Sequence, residues 1–387
     1  MAIIPFHKPL LTGNEYSYLE QTCSQGSFSD NGPFQRSCLQ LLKDITGCPQ
    51  VLLTPSCTAA LEMAALLADI RPGDEVIMPS FTFPSSANAF VLRGARPVFI
   101  DIRPDTLNMD ERLIESAISS RTRAIVTVHY AGSACDMDTI MEIAGRHRLL
   151  VIEDAAQCIG ATYKGRALGT IGHLGTYSFH STKNIHCGEG GALLVNDERF
   201  ERRSLIIQNK GTNRHDFLNG QVPFYHWTDI GSSFVPSELT CAFLWAQLQH
   251  LAIVTESRCS TWSRYQELMK PAINAGLLHI AQPRADSLHN GHIFPAIFSS
   301  RQDRQLVQDA MLNLGIQTAS HYRPLHQSPA GSRFALGATH KLHHTQITAD
   351  AILRLPIWYG SPVDEIGHAF LNILFELYSK RLIRTVD

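Results

Sequence analysis

Between residues 50 and 155 short apolar runs alternate with helical stretches, and this alternation limits the fold more than any other feature of the chain. The runs Val51–Thr54, Glu75–Pro79, Pro97–Asp101, Ala124–His129 and Leu149–Glu153 have the length and composition of strands. Between them, Thr58–Ile70 and Met137–His147 carry apolar residues at helical spacing. Strands separated by helices require βαβ crossovers, and therefore a mainly parallel sheet in an α/β fold. Two further runs, Thr176–His180 and Ala192–Asn196, flank a Gly-rich turn, and Ser237–Leu251 reads as a helix leaving the first domain. Beyond it the pattern changes to a strand-like His292–Phe298, a helix-like Arg304–Leu314 and a last helix near Glu365–Lys380. The polar, His-rich stretch Gln327–Thr345 reads as a loop. The expected organisation is a large domain over residues 1–250 and a smaller one over 251–387.

Charge and cysteine usage exclude several classes. Lys plus Arg number 33 against 35 Asp plus Glu, a net charge of −2, which gives no electrostatic reason to bind nucleic acid or an anionic membrane. The nine cysteines are scattered with no C-x-x-C pair, and the start MAIIPFHKPLL lacks a basic segment leading into a long apolar core. The most apolar window, Ala59–Ala68, is too short to span a bilayer and contains Glu62. The expectation is a cytoplasmic protein with reduced thiols.

In open α/β sheets ligands sit at the carboxyl ends of the strands, so the residues just after the apolar runs carry the functional information. A dinucleotide fingerprint is missing: Gly169, Gly172 and Gly175 have the wrong spacing and precede a strand. A P-loop fails too, since the stretch from Gly160 to Ala167 lacks its lysine and hydroxyl. His180, His186 and Cys187 fit no usual metal-ligand spacing, so no metal is expected. What remains is a series of individually modest signals in an informative order. Small hydroxyl residues in TPSCT lead into an Ala/Leu/Met helix, which offers free amides to a phosphate or simply a Thr58 cap. Asp154 follows a buried strand, as a cap or as the partner of a cationic ring nitrogen. Lys183 precedes the cluster Gly188, Gly190 and Gly191, where backbone can pass close to a bound ring. Phosphate cradle, aromatic plate, aspartate and lysine, all at strand ends, are what a pyridoxal 5′-phosphate (PLP) site requires.

On LLTPSCTAALEMAALLADIRPGDEVIMPSFTF, ANAFVLRGARPVF, HYAGSACDMDTI, EDAAQ, YKGRALGTIGHLG, SFHSTKN, GEGGALLVND, HWTDIGSSF and RLPIWYGSPV the chain resembles the DegT-type nucleotide-sugar aminotransferases. The likeness runs from about Ile4 to Leu377. It implies the aspartate-aminotransferase-like architecture (fold type I): a large domain built on a mainly parallel seven-stranded sheet, and a smaller C-terminal α+β domain. It implies Lys183 as the residue that bonds PLP through its amine and then moves the proton. Asp154 would pair with the ring nitrogen, Gln157 with the ring's 3-oxygen, and Phe83 would stack on the ring face. Amides of Thr58 and Ala59 and the hydroxyl of Ser178 would hold the phosphate. His180 matches a histidine near the cofactor in some relatives, or is a packed strand-end residue. Many members carry G-Y-N-x-R before the later helix, with the asparagine reaching the cofactor phosphate of the neighbouring subunit. Here Ser233 takes the asparagine position and Val235 the arginine position, so a shorter hydroxyl would have to serve.

The resemblance also implies a reaction. L-glutamate would give its amino group to C4 of a nucleotide-linked 4-keto-6-deoxy sugar by a ping-pong cycle. The substrate implied is dTDP-4-keto-6-deoxyglucose and the product a 4-amino-4,6-dideoxygalactose nucleotide, made for lipopolysaccharide or enterobacterial common antigen by a homodimer. His129–Gly132 and His321–His326 are the expected sugar-contacting segments. A family branch with histidine in place of the lysine dehydrates instead, and Lys183 argues against it. Alternatives are a 3-keto or UDP-linked substrate, or a PLP-binding regulatory protein without turnover.

Overall fold

The computed structural model describes residues 3–337, 340–380 and 382–386. Seven strands form the central sheet: β1 (Gln50–Thr54), β2 (Glu75–Pro79), β3 (Arg96–Ile100), β4 (Thr122–Val128), β5 (Leu150–Asp154), β6 (Leu174–Ser178) and β7 (Gly191–Val195). Their order across the sheet is β1-β7-β6-β5-β4-β2-β3. The β3–β2, β2–β4, β4–β5 and β5–β6 pairs are parallel, and β7 runs antiparallel to both of its neighbours. Strands such as β2 and β7 are buried along their whole length, which is why they read as mostly apolar runs and not as alternation. Separate apolar clusters pack on the two sheet faces, one around Leu42, Ile125 and Val151, the other around Met63, Phe90 and Ile152.

The helices that precede and cross the sheet are α1 (Glu15–Gln25), α2 (Pro33–Thr46), α3 (Cys57–Leu67), α4 (Pro84–Val91) and α5 (Met137–His147). Helix α3 follows β1 after a two-residue turn because Ser56, in extended conformation, caps it: its Oγ accepts the Ala59 N–H at 3.1 Å. Helix α5 is capped in the same way by Asp136 and ends on Arg148 at φ +56°. Two long helices, α6 (Glu238–Leu248) and α7 (Leu251–Asn274), leave the sheet.

A second body follows, with an antiparallel sheet of β8 (Phe294–Ile297), β9 (Ala319–Ser320) and β10 (Ile352–Leu355) in the order β8-β10-β9. Helices α8 (Arg301–Asn313), α9 (His343–Ala351) and α10 (Val363–Ser379) accompany it. Its own core holds Tyr265, Phe294, Leu353 and Phe370, and Ile4 packs there while its backbone pairs with Ile316.

The stretch expected to be a loop, Gln327–Thr345, differs. Pro329–Phe334 is helical, and α9 begins at His343, while Ala338 and Thr339 lie outside the described residues. Nothing in the local sequence caps α9. The cap comes from β3's end: the Asp101 carboxylate accepts the amides of His344 (2.9 Å) and Thr345 (2.8 Å) and the Thr345 hydroxyl (2.7 Å).

Candidate active site

The carboxyl ends of β1, β4, β5 and β6 and the start of β7 meet at one edge, where a cavity of about 380 Å³ opens. In register, Thr54 faces Gly191 and Gly191 faces Ser178. Gly191 lies against the start of α3, where a Cβ on it would sit 2.4 Å from the Cys57 nitrogen. No larger residue fits there, and the close approach holds the first turn of α3 against β7. The amides of Cys57 and Thr58 open that turn, while that of Ala59 is given to Ser56. Thr58 Oγ1 and Ser85 Oγ share a hydrogen bond of 2.8 Å, and both residues line the cavity. Burial pushes the Cys57 thiol up to about 12, so it stays neutral beside the helix start.

Asp154, the last residue of β5, is 6% exposed. Ser86 in α4 donates its hydroxyl to Oδ2 at 2.6 Å, and the Ala156 amide reaches Oδ1 at 3.2 Å. Ser86 is itself joined to Thr82 by a 2.7 Å hydroxyl–hydroxyl hydrogen bond. The carboxylate is thus fixed in orientation. The neighbouring Glu153 side chain points to the other face, where it pairs with His129 at 2.9 Å, both fully buried. The Cys135 amide donates to His129 Nδ1, so the ring gives its Nε2 proton to Glu153. Burial alone would raise the Glu153 carboxyl. The His129 bond and the amides of Gly172 and Gly169 outweigh it and hold the group below its ordinary range.

Gln157 lines the same cavity; its Oε1 accepts the Ala131 amide at 2.7 Å, which leaves Nε2 as the group available to a ligand. Ala131 sits at φ +57° in the turn after β4. Phe83, at the start of α4, is 52% exposed and meets Tyr322 edge-on at 5.2 Å between centroids. Lys183 lies in the turn after β6, its amide bonded to the His180 carbonyl, and its side chain reaches the cavity. His180 Nδ1 is 2.8 Å from Thr182 Oγ1, and its Nε2 is 3.5 Å from Glu189.

A helix start, a buried carboxylate and a lysine therefore line one cavity. Of the residues singled out from sequence, Thr58, Phe83, Asp154, Gln157, Ser178, His180 and Lys183 line this one cavity. Ala59 stands just behind it, in the first turn of α3. Ser233 does not reach it: it is exposed, and its backbone pairs with Asn209. Of the two segments expected at a sugar, His321 and Tyr322 line the cavity, and so does Tyr130, but the His129 side chain is turned away to Glu153. Phe81, Tyr130 and His321 form an aromatic cluster in the wall, with Phe81 4.2 Å from His321. Burial, then the charge of Arg354, pushes His321 well below its ordinary value. Sequence reading missed Phe81, Ser86 and Glu153. Their parts rest on contacts with residues distant in the sequence, His321, Asp154 and His129 respectively.

The arrangement is that of a fold-type I aminotransferase. The model of the DegT/DnrJ/EryC1/StrS aminotransferase family matches residues 9–369, and the chain belongs to that family. Among solved structures, DesV from S. venezuelae is 28% identical with a TM-score of 0.85, each chain covered over 100% of its length. The aminotransferase from Psychrobacter cryohalolentis is 26% identical with a TM-score of 0.90, covering 98% of this chain and 99% of that one. The putative sugar aminotransferase Spr1654 from Streptococcus pneumoniae, in its PLP form, is 23% identical with a TM-score of 0.88 over 97% of this chain and 100% of that one, and shares the fold. Family membership makes PLP the cofactor. The amides of Cys57 and Thr58 that open α3, the buried Asp154 and the free donor of Gln157 are compatible with it. Among the described residues no group of three or more His, Cys, Asp or Glu is placed to hold a metal, and no helix is long and apolar enough to cross a membrane.

Proposed function

We propose that the chain transfers the amino group of L-glutamate to C4 of a nucleotide-linked 4-keto-6-deoxy sugar, with dTDP-4-keto-6-deoxyglucose giving dTDP-4-amino-4,6-dideoxygalactose in a ping-pong cycle. The observation that carries the reading is the gathering of Asp154 and Lys183 on one cavity, the first buried and oriented by Ser86, the second on the turn beyond β6. Bound PLP supplies an electron sink for the proton transfer. Asp154 holds the ring-nitrogen proton, since a fixed carboxylate in a dry site favours a neighbouring cation. Lys183 takes the proton from the donor carbon in the first half and returns one to C4 of the sugar in the second. Gln157 gives Nε2–H to the ring's 3-oxygen. Phe83 covers one ring face, and the start of α3 with Ser178 takes the phosphate. Tyr130, His321 and Tyr322 form the wall that meets the sugar. Ser233, turned away from its own cavity, serves the site of a second copy in a homodimer.

The test is incubation of the PLP-loaded protein and L-glutamate with dTDP- and UDP-linked 4-keto and 3-keto sugars, the product's configuration at C4 being read by NMR. A 4-amino galacto product from the dTDP-4-keto sugar alone is expected. Amino transfer only to a 3-keto or UDP-linked sugar, or none to any, contradicts the reading.

A further inference from the structure

Lys183 stands on neither a helix nor a strand: residues 179–190, between β6 and β7, form an irregular turn. Its own backbone closes the ends, the Ser181 amide meeting the Gly188 carbonyl at 2.8 Å and the Cys187 amide the Phe179 carbonyl at 2.8 Å. The tip, which carries Lys183, is held from outside by side chains. Asn184 donates Nδ2–H to the Asn290 carbonyl at 2.9 Å, and its Oδ1 accepts from His292 at 2.8 Å. Two further ties both run to residues 4–10, the segment ahead of α1. They are reciprocal. His7 of the segment donates Nε2–H to the Ser181 carbonyl of the turn at 2.7 Å, and His186 of the turn donates Nε2–H to the Leu10 carbonyl of the segment at 3.0 Å.

A carbonyl only accepts, so each ring carries its proton on Nε2. Burial lowers both imidazoles below their ordinary value, which keeps each ring neutral with a single N–H. His186 Nδ1 is left buried without a partner, a cost that packing alone does not explain. The two bonds bracket Lys183 in the sequence. The segment that makes them is stiff and anchored at both ends. Pro5 and Pro9 flank His7 and restrict the backbone on either side. Ile4 exchanges backbone bonds with Gly315 (2.9 Å) and Gln317 (3.0 Å) beside the sheet of β8, β9 and β10, and Trp358 donates its indole N–H to the Pro5 carbonyl at 3.2 Å. At the other end the Leu10 carbonyl also accepts Gln247 Nε2–H of α6 at 2.8 Å. A turn without regular structure thus takes its rigidity from a segment fastened to two other parts of the fold. A lysine that serves two substrates in succession needs a fixed base, since a displacement of about 1 Å costs about a hundredfold in rate.

We propose that residues 4–10 form a strap that positions Lys183 for the proton transfer, with His7 and His186 as positioning residues that act through the Ser181 and Leu10 carbonyls. The inference rests on the reading that Lys183 moves the proton. The strap then serves both half-reactions alike, because the same amine works in each.

The experiment compares the wild type with His7→Leu and His186→Leu, which remove the donors, and with His7→Gln, which keeps an N–H near the Nε2 position. Melting curves show which variants fold. On PLP-loaded protein, single-turnover rates are followed by the cofactor's visible absorbance, with L-glutamate and then, on the aminated form, with 2-oxoglutarate. On cofactor-free protein, backbone hydrogen exchange over residues 181–187 is read by mass spectrometry. Each leucine variant should slow both half-reactions at least about fivefold, the loss of one hydrogen bond, with half-saturating concentrations within about twofold of wild type. Exchange in the turn should quicken in both, and His7→Gln should recover most of the rate and of the protection. Rates within about twofold of wild type in the folded leucine variants overturn the proposal. So does a raised half-saturating concentration at unchanged rate, which puts the imidazole at the substrate, and so does slowed turnover without faster exchange in the turn. Nitrogen-15 NMR of the wild type needs no variant: both rings should carry the proton on Nε2, and a proton on Nδ1 in either overturns the clamp. If L-glutamate leaves the wild-type absorbance unchanged, or Lys183→Ala keeps near-normal turnover, the donor or the lysine reading falls by itself, and the exchange and NMR measurements still decide the strap.

Discussion

At the scale of single residues the account turns on Lys183, Asp154 and the hydroxyl that orients Asp154. Lys183→Ala should abolish turnover, because no other amine lines the main cavity; near-normal turnover would show that the proton moves elsewhere. Asp154→Ala should keep some PLP but slow the proton-transfer step by orders of magnitude, and a merely twofold change in single-turnover rate would refute its role. Ser86→Ala removes a 2.6 Å hydrogen bond to a buried carboxylate, worth about 1.5–3 kcal/mol, and should weaken PLP binding about tenfold or more by equilibrium dialysis. The order of Thr58, Asp154 and Lys183 along the strand ends was legible because each follows an apolar run, whereas Ser178 lies within one and was singled out only by the resemblance. Ser86 was not, since it meets Asp154 across 68 positions. The pairing of His129 with Glu153 was hidden for the same reason, and it removes a side chain that sequence reading assigned to the sugar.

Elements place these residues, and their ends matter more than their middles. Gly191→Ala would drive a Cβ into the Cys57 amide, so this variant should either lose PLP binding or melt several degrees lower. Strand and helix positions were largely legible from periodicity: Glu75–Pro79 and Met137–His147 have the bounds that their patterns suggest. Helix α9 was not, because its cap, Asp101, is supplied from another element. A buried carboxylate at the start of α1 makes an acid-sensitive joint. Glu15 of α1 accepts the amides of Thr12 and Gly13, the Thr12 hydroxyl and Gln247 Nε2. Burial alone would raise its carboxyl, but these donors lower it to about 2. A carboxyl lowered on folding stabilises the fold above its unfolded value near 4.5, and that contribution fades as pH falls toward about 2. Glu15→Gln should therefore cost about 1–2 kcal/mol at neutral pH, with the gap to wild type closing under acid in urea titrations. A gap independent of pH would contradict this.

For the whole molecule the questions are how the chain's sheets and their helices make one site, and whether a second copy contributes to it, as we propose. The change of pattern beyond residue 250 suggests a second unit, and we propose that the cluster around Tyr265, Phe294, Leu353 and Phe370 is its packing centre. The return of Ile4–Phe6 to that unit carried no sequence signal, because a short apolar segment has no period to read. Exposed Ser233 leads to a test of the proposed sharing. A Lys183→Ala chain mixed with a Ser233→Trp chain should regain about a quarter of wild-type activity, as half the dimers would hold one intact site. No regain would confine the site to one chain. The central claim is tested most directly by reducing the PLP-loaded protein with borohydride, digesting it and weighing the peptides. The account predicts the mass of a reduced phosphopyridoxyl group on the peptide that contains Lys183. That peptide unmodified, or the added mass on another lysine, would contradict it.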